Sequence, residues 1–208
     1  MPLILLVGSL LLLWLVVSAS SSSADTGGGN APAPLDPLGI FTDPPSGQDM
    51  SVPASPPNSA FDGLAGNLPT AEQAAIFALA GLAGVDPRFL AAIRVAEGGG
   101  PGREFGVVSQ PTTPTASDLA NAGVYGVAGT FWAQGRIAAA SIRANMTRYQ
   151  NQTGRLPQDA SGNLTQDFIA FFGARWAPLD AANDPKGLNV NWVPNATMTY
   201  ESSSVVQV

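Results

Sequence analysis

The chain has no cysteine and no histidine. Their absence excludes disulfides, Cys nucleophiles, Cys/His zinc sites and Ser-His-Asp triads. Charge is also scarce. Charged residues make up 12% of the chain, and the net charge is −6. None of the nine Lys and Arg lies before Arg88, and no two are adjacent. A nucleic-acid binder usually carries a basic stripe, so no nucleic-acid partner is expected. There is no P-loop, no dinucleotide fingerprint and no internal repeat. No cofactor and no metal are expected. Any catalysis must run on carboxylates, hydroxyls, amides, Lys or Arg.

What is present is unevenly distributed. Residues 3–19 form an uncharged apolar run, from Leu3 through Trp14 to Ala19. Its length of about 17 residues is at the short end for crossing hydrocarbon. Two readings compete, a retained anchor and a cleaved signal peptide. Val17-Ser18-Ala19 suits a cleavage site, but nothing basic precedes the run. The anchor is therefore preferred, and residues 1–19 are read as a single transmembrane helix with a lipid membrane as partner. With no Lys or Arg in its flanks, its orientation is undetermined. Residues 20–60 are rich in Pro, Ser and Gly, carry four Asp and have no basic residue. Such a stretch cannot bury enough apolar surface to offset the entropy of ordering, and reads as a disordered, semi-stiff linker.

About 145 residues remain from Phe61 onward, the size of one domain. Thr70-Ala71-Glu72-Gln73 predicts a capping box opening a helix that runs to Leu82 and stops at Gly84. Asp86-Pro87 predicts the next start, with the helix running from Arg88 to Glu97. Phe89, Ala92, Ile93 and Ala96 supply its buried face. Residues 104–109 read as a short strand or hairpin arm, and Ser117-Asp118 as a cap. A long helix is expected over 130–152 and another over 165–175. From Trp176 on the chain reads as irregular, with Asn195 marking a turn. The fold class is mostly α with a small β-hairpin, its domain spanning 61–200 and a flexible tail 201–208.

The informative residue is Glu97. It closes an apolar helix and precedes Gly98-Gly99-Gly100. Apolar neighbours and the negative end of the helix dipole both disfavour the charged form of a carboxyl group. A carboxylic acid that keeps its proton can donate it to a leaving-group oxygen. Flanking glycines let backbone approach a polymer, an arrangement that suits glycosidic cleavage. The plainer alternative is a Glu fraying into solvent at a helix end. Glu104 is a second candidate acid, or an exposed hairpin charge. Asp118, Asp180 and Asp184 read as caps or turn residues.

The stretch from Val85 to Gly99, with Glu97-Gly98-Gly99 at its end, resembles the glutamate-bearing helix of lysozyme-like lytic transglycosylases. Phe105-Gly106-Val107-Val108-Ser109-Gln110 is similar to that superfamily's Gly-Leu-Met-Gln motif. Phe168 to Pro178, with Asn183-Asp184-Pro185-Lys186-Gly187-Leu188-Asn189, resembles the end of phage virion-associated murein-degrading proteins. Two departures stand out. Gly98 replaces the usual Ser, and the Ala-Tyr-Asn-x-Gly motif is absent.

The resemblance implies a lysozyme-like fold with Glu97 catalytic. It implies Gly98, Gly106, Ser109, Gln110, Tyr149 and Trp176 along the substrate groove. Tyr125 and Trp132 are further rings of a kind that stacks on sugars, although such aromatics more often build core. The implied activity is lytic cleavage of peptidoglycan at a membrane or in a virion, with peptidoglycan and other virion proteins as partners. Three alternatives remain: a muramidase-type hydrolase, a degenerate structural or glycan-binding protein, and a secreted glycoprotein suggested by four Asn-x-Thr matches.

Overall fold

A computed structural model describes residues 59–107, 112–182 and 184–207. The apolar run 3–19 and nearly all of the predicted linker lie outside the described residues. Among the described residues, no helix is long and apolar enough to cross a membrane.

The chain forms β1 (Ser59–Phe61), α1 (Thr70–Ala83), α2 (Pro87–Glu97), α3 (Ala116–Tyr125), α4 (Gly129–Thr153), α5 (Gln166–Trp176), α6 (Trp192–Ser202) and β2 (Val205–Gln207). Short 3-10 turns occupy Gly63–Asn67 and Leu188–Asn191. The mostly helical class agrees with the sequence reading.

Helix α2 is the centre of the packing. Phe89, Leu90, Ala91, Ala92 and Ile93 are all fully buried. A helix buried on every side over more than one turn must be surrounded by other elements. Phe89 meets Phe168 and Phe172 of α5 and Tyr200 of α6, with ring centroids 6.1, 5.3 and 6.0 Å away. The start of α2 follows expectation. Asp86 caps it by accepting from the Arg88 amide at 2.9 Å, and Pro87 takes the first helical position.

Several local expectations are corrected. The capping box at Thr70 does not form, because Pro69 is the N-cap and makes no side-chain bond. Gln73 turns inward instead. It accepts from the Phe61 amide (2.9 Å) and donates to the carbonyls of Gly66 (3.2 Å) and Leu68 (2.7 Å), tying β1 to α1. The cap of α3 is Thr115, and Asp118 closes the capping box three residues on. Asp118 also pairs with Arg136 at 3.0 Å. Burial pushes its carboxyl up, but the bonds from Arg136 and Thr115 prevail and hold it below the usual carboxylate range.

The expected hairpin after Glu97 is absent among the described residues 104–107, which form turn and coil. The two-stranded antiparallel sheet pairs the ends of the described fold, Ser59 with Gln207 and Phe61 with Val205. The Asp62 amide extends this pairing to the Ser204 carbonyl at 2.9 Å. Residues 205–207 are therefore a strand, where a flexible tail was expected.

Helix α6 falls where the chain read as irregular. Its buried residues Trp192, Ala196, Thr199 and Tyr200 keep helical spacing. Pro194 is tolerated because amides in the first turn have no helical acceptor. Asn195 is helical and does not mark a turn.

Candidate active site at the end of the second helix

Glu97 is the last residue of α2, and Gly98 follows in the left-handed conformation (φ 56°). Glu97 as a residue is half-buried. Its Oε1 accepts two hydrogen bonds, from the indole Nε1 of Trp176 at 2.9 Å and of Trp192 at 2.8 Å. Trp176 ends α5 and Trp192 begins α6. Phe172 backs both rings, with centroids 5.3 Å from Trp176 and 5.9 Å from Trp192. The Trp192 ring also lies against Gly173, where any Cβ would crowd it.

Gly106 covers another side of the carboxyl group. Its φ is +71°, and a Cβ at this position would overlap the Glu97 carboxyl carbon and Oε2. Both constraints favour glycine. The 98–107 loop that carries Gly106 is pinned by α4. Gln134, fully buried, accepts from the Phe105 amide at 2.9 Å and donates to the Gly102 carbonyl. Thr130 donates to Glu104 Oε1 at 2.8 Å.

α6 lies antiparallel to α2, because it meets both ends of that helix. At the start of α2, Arg88 Nη2 donates to Asp86 Oδ2 (2.6 Å), Asn163 Oδ1 (2.9 Å) and the Tyr200 hydroxyl (3.0 Å). The Tyr200 hydroxyl donates to Asp86 Oδ2 at 2.9 Å and accepts from the Leu164 amide at 2.8 Å. Burial, with Asp86 beside it, pushes the Tyr200 phenol up to about 12. This cluster ties the end of α6 to the start of α2, while Trp192 at the other end of α6 meets Glu97.

The structure therefore brings Glu97, Gly98, Gly106 and Trp176 together. Ser109 and Gln110 lie outside the described residues. Tyr149 is not in the site. It is buried in the core, its ring edge-on to Phe168 and Phe171 at 5.7 and 5.2 Å. Tyr125 and Trp132 are buried and stacked on each other at 5.3 Å, so neither is a sugar platform. Glu104 is not an exposed hairpin charge. It is 4% exposed, and its Oε2 has no hydrogen-bond partner. Asp184 is a turn residue as expected, accepting from the Leu188 and Asn189 amides.

Sequence reasoning missed Trp192, Gln134 and Thr130. Trp192 stood in a stretch read as irregular. Gln134 and Thr130 lie on α4 and act across the fold, which no local pattern marks. Among the described residues, no group of three or more acidic side chains is placed to hold a metal ion. Comparisons with protein-family models, curated proteins and solved structures find no match to this chain.

Proposed function

We propose that the chain is a peptidoglycan lytic transglycosylase, cleaving the bond between N-acetylmuramic acid and N-acetylglucosamine. The observation that carries this reading is the state of the Glu97 carboxyl group. One oxygen is held by two donors, while the other has no donor among the described residues. Among the described residues, the sealed, unpartnered side-chain atoms are Glu104 Oε2 and Ser141 Oγ, and that other oxygen is not one of them. A carboxyl group oriented through one oxygen, with the other left free of donors, is what a general acid needs. The buried Glu104 does not offer a base to a water molecule, which favours the single-carboxylate reaction over hydrolysis.

In that reaction Glu97 protonates the glycosidic oxygen as its bond to the anomeric carbon breaks. The carboxylate then takes the proton of the sugar's own 6-hydroxyl as that oxygen closes a 1,6-anhydro ring. The apolar run 3–19 anchors the domain at a membrane, in a virion or in the host envelope, and the linker sets its reach. The enzyme then opens the wall locally for genome delivery. The placement in a virion rests on the resemblance of residues 168–189 to phage murein-degrading proteins.

A second reading is a lysozyme-like structural or glycan-binding virion protein without activity. One observation favours it. A depression of about 770 Å³ is lined by Gln166, Ala170, Val193, Met198 and Glu201 of α5 and α6, and Glu97 is not among its lining residues.

The test uses the full chain in detergent with purified peptidoglycan, beside Glu97→Gln. Release of anhydro-muropeptides by the parent alone supports the proposal. Release of reducing ends assigns a hydrolase. No release from the folded parent leaves the structural reading.

A further inference from the structure

We propose that Trp176 and Trp192 are positioning residues that assign the two oxygens of Glu97 different tasks: Oε1 is the fixed acceptor, and Oε2 alone carries and transfers the proton. The inference rests on Glu97 being the acid of the proposed reaction.

The argument begins with lone pairs. A carboxyl oxygen has two good acceptor sites, and both on Oε1 are filled, by indole N–H groups at 2.9 and 2.8 Å. Placing a proton on Oε1 would break one of these bonds. Indole nitrogen is a donor only, so neither ring can take the proton in exchange. Oε2 has no donor among the described residues and is not sealed from solvent. A proton held by this carboxyl group is therefore carried on Oε2.

The same donors serve both charge states. With Glu97 neutral, Oε1 is the carbonyl oxygen and accepts both N–H groups. With Glu97 ionised, the two groups stabilise the anion without moving. Dipoles already aimed at developing charge need no reorganisation during the reaction. Proton donation and its return thus occur at one atom.

The rings are held well enough for this task. Trp192 is 6% exposed, and Phe172 lies against both indoles. Most charged groups on the elements that meet here are engaged elsewhere, Arg103 of the 98–107 loop excepted. Arg94 pairs with Glu72 at 2.9 Å, Glu104 accepts from Thr130, and Arg175 lies over the Phe171 ring at 4.0 Å. The indoles therefore report on Glu97 itself.

The test has a spectroscopic and a kinetic arm, both on the full chain in detergent. In ¹H–¹⁵N spectra, the Trp176 and Trp192 indole N–H signals are expected to shift together with pH, sharing one midpoint. The Trp132 signal is expected to stay still. Glu97→Gln should abolish the shared titration. If the two signals ignore both pH and that substitution, the assignment is overturned, and no tryptophan variant is needed to learn it.

In the kinetic arm, Trp176→Phe and Trp192→Phe each keep an aromatic ring but lose the N–H. Each is expected to lower kcat about tenfold or more, as befits a lost hydrogen bond to a charged group, with KM nearly unchanged. A change in KM alone, or an unchanged kcat, overturns the proposal. If the parent cleaves no peptidoglycan, the functional reading fails, while the shared indole titration still stands or falls by itself.

Discussion

The two ends of α2 present the same chemistry in opposite states of completion. At the start, Asp86 uses both carboxylate oxygens. Oδ1 accepts from the Arg88 amide and Nε, and Oδ2 from Arg88 Nη2 and the Tyr200 hydroxyl. At the far end, Glu97 receives two donors on Oε1 and none from the described residues on Oε2. Both acids are met by α6, eight residues apart on that helix at Tyr200 and Trp192. A saturated carboxylate has no capacity left for chemistry and serves as a lock. A half-saturated one is oriented yet still reactive. The comparison separates the residue that builds the fold from the residue that is proposed to use it.

The sharpest way to break the comparison is to neutralise each acid in turn. Glu97→Gln should lower peptidoglycan cleavage by about 10²- to 10⁴-fold, the range for loss of a general acid. Its denaturation midpoint should stay near the parent's, because the amide oxygen can still accept from both indoles. A variant that keeps full activity would remove Glu97 from the chemistry.

Asp86→Ala should do the reverse. It removes the α2 cap and leaves Arg88 and Tyr200 without their acceptor. A cost of roughly 3 kcal/mol is expected, combining a lost cap with a broken, largely desolvated pair. Chemical denaturation measures it. What activity remains in the folded fraction should show an unchanged pH profile. If Asp86→Ala instead costs activity at full stability, the two ends do not divide as argued.

Gly106→Ala tests how closely the site is fitted. The new Cβ would meet the Glu97 carboxyl group, and alanine dislikes a φ of +71°. A stability loss of about 1–2 kcal/mol is expected from the backbone alone. Cleavage should fall by well over tenfold, because the carboxyl group must leave its place. Equal activity in parent and variant would show that the geometry around Glu97 is not needed.

These residues also mark how far the sequence could be read. The start of α2 was legible because Asp-Pro followed by apolar spacing is a local signal, and Glu97 stood out for the glycines after it. The donors to Glu97 were legible only in part. Trp176 was singled out through resemblance, whereas Trp192 stood in a stretch read as irregular, with Asn195 marking a turn. The balance at Glu97 was incomplete for the same reason. Local reasoning saw burial and the helix dipole, both of which disfavour charge. The two indoles that bond to Glu97 come from positions 79 and 95 residues away. The pairing of β1 with β2 was illegible because three-residue strands at opposite ends of a domain carry no pattern of their own. Glu104 was misread because its burial is set by Thr130 and Gln134 on another helix.

The smallest effect tests the locked end alone. The Tyr200 phenol is pushed up to about 12 by burial and by Asp86, against about 10 in an unfolded chain. The folded state therefore holds this proton more tightly. The stabilisation it provides is fully present below about pH 10 and is lost as pH rises towards 12. Burial also raises Tyr125, so the parent should weaken in alkali through both groups. Tyr200→Phe isolates one of them. It should cost about 1 kcal/mol near neutral pH, for the lost hydroxyl bonds. The gap between parent and variant should then narrow between pH 10 and 12, measured by denaturant midpoints across that range. A constant gap would mean that Tyr200 loses its proton as easily folded as unfolded, and the Asp86 cluster would not be the closed lock described. Peptidoglycan cleavage near neutral pH should be little changed in the variant, because the hydroxyl lies at the end of α2 that makes no contact with the Glu97 carboxyl group.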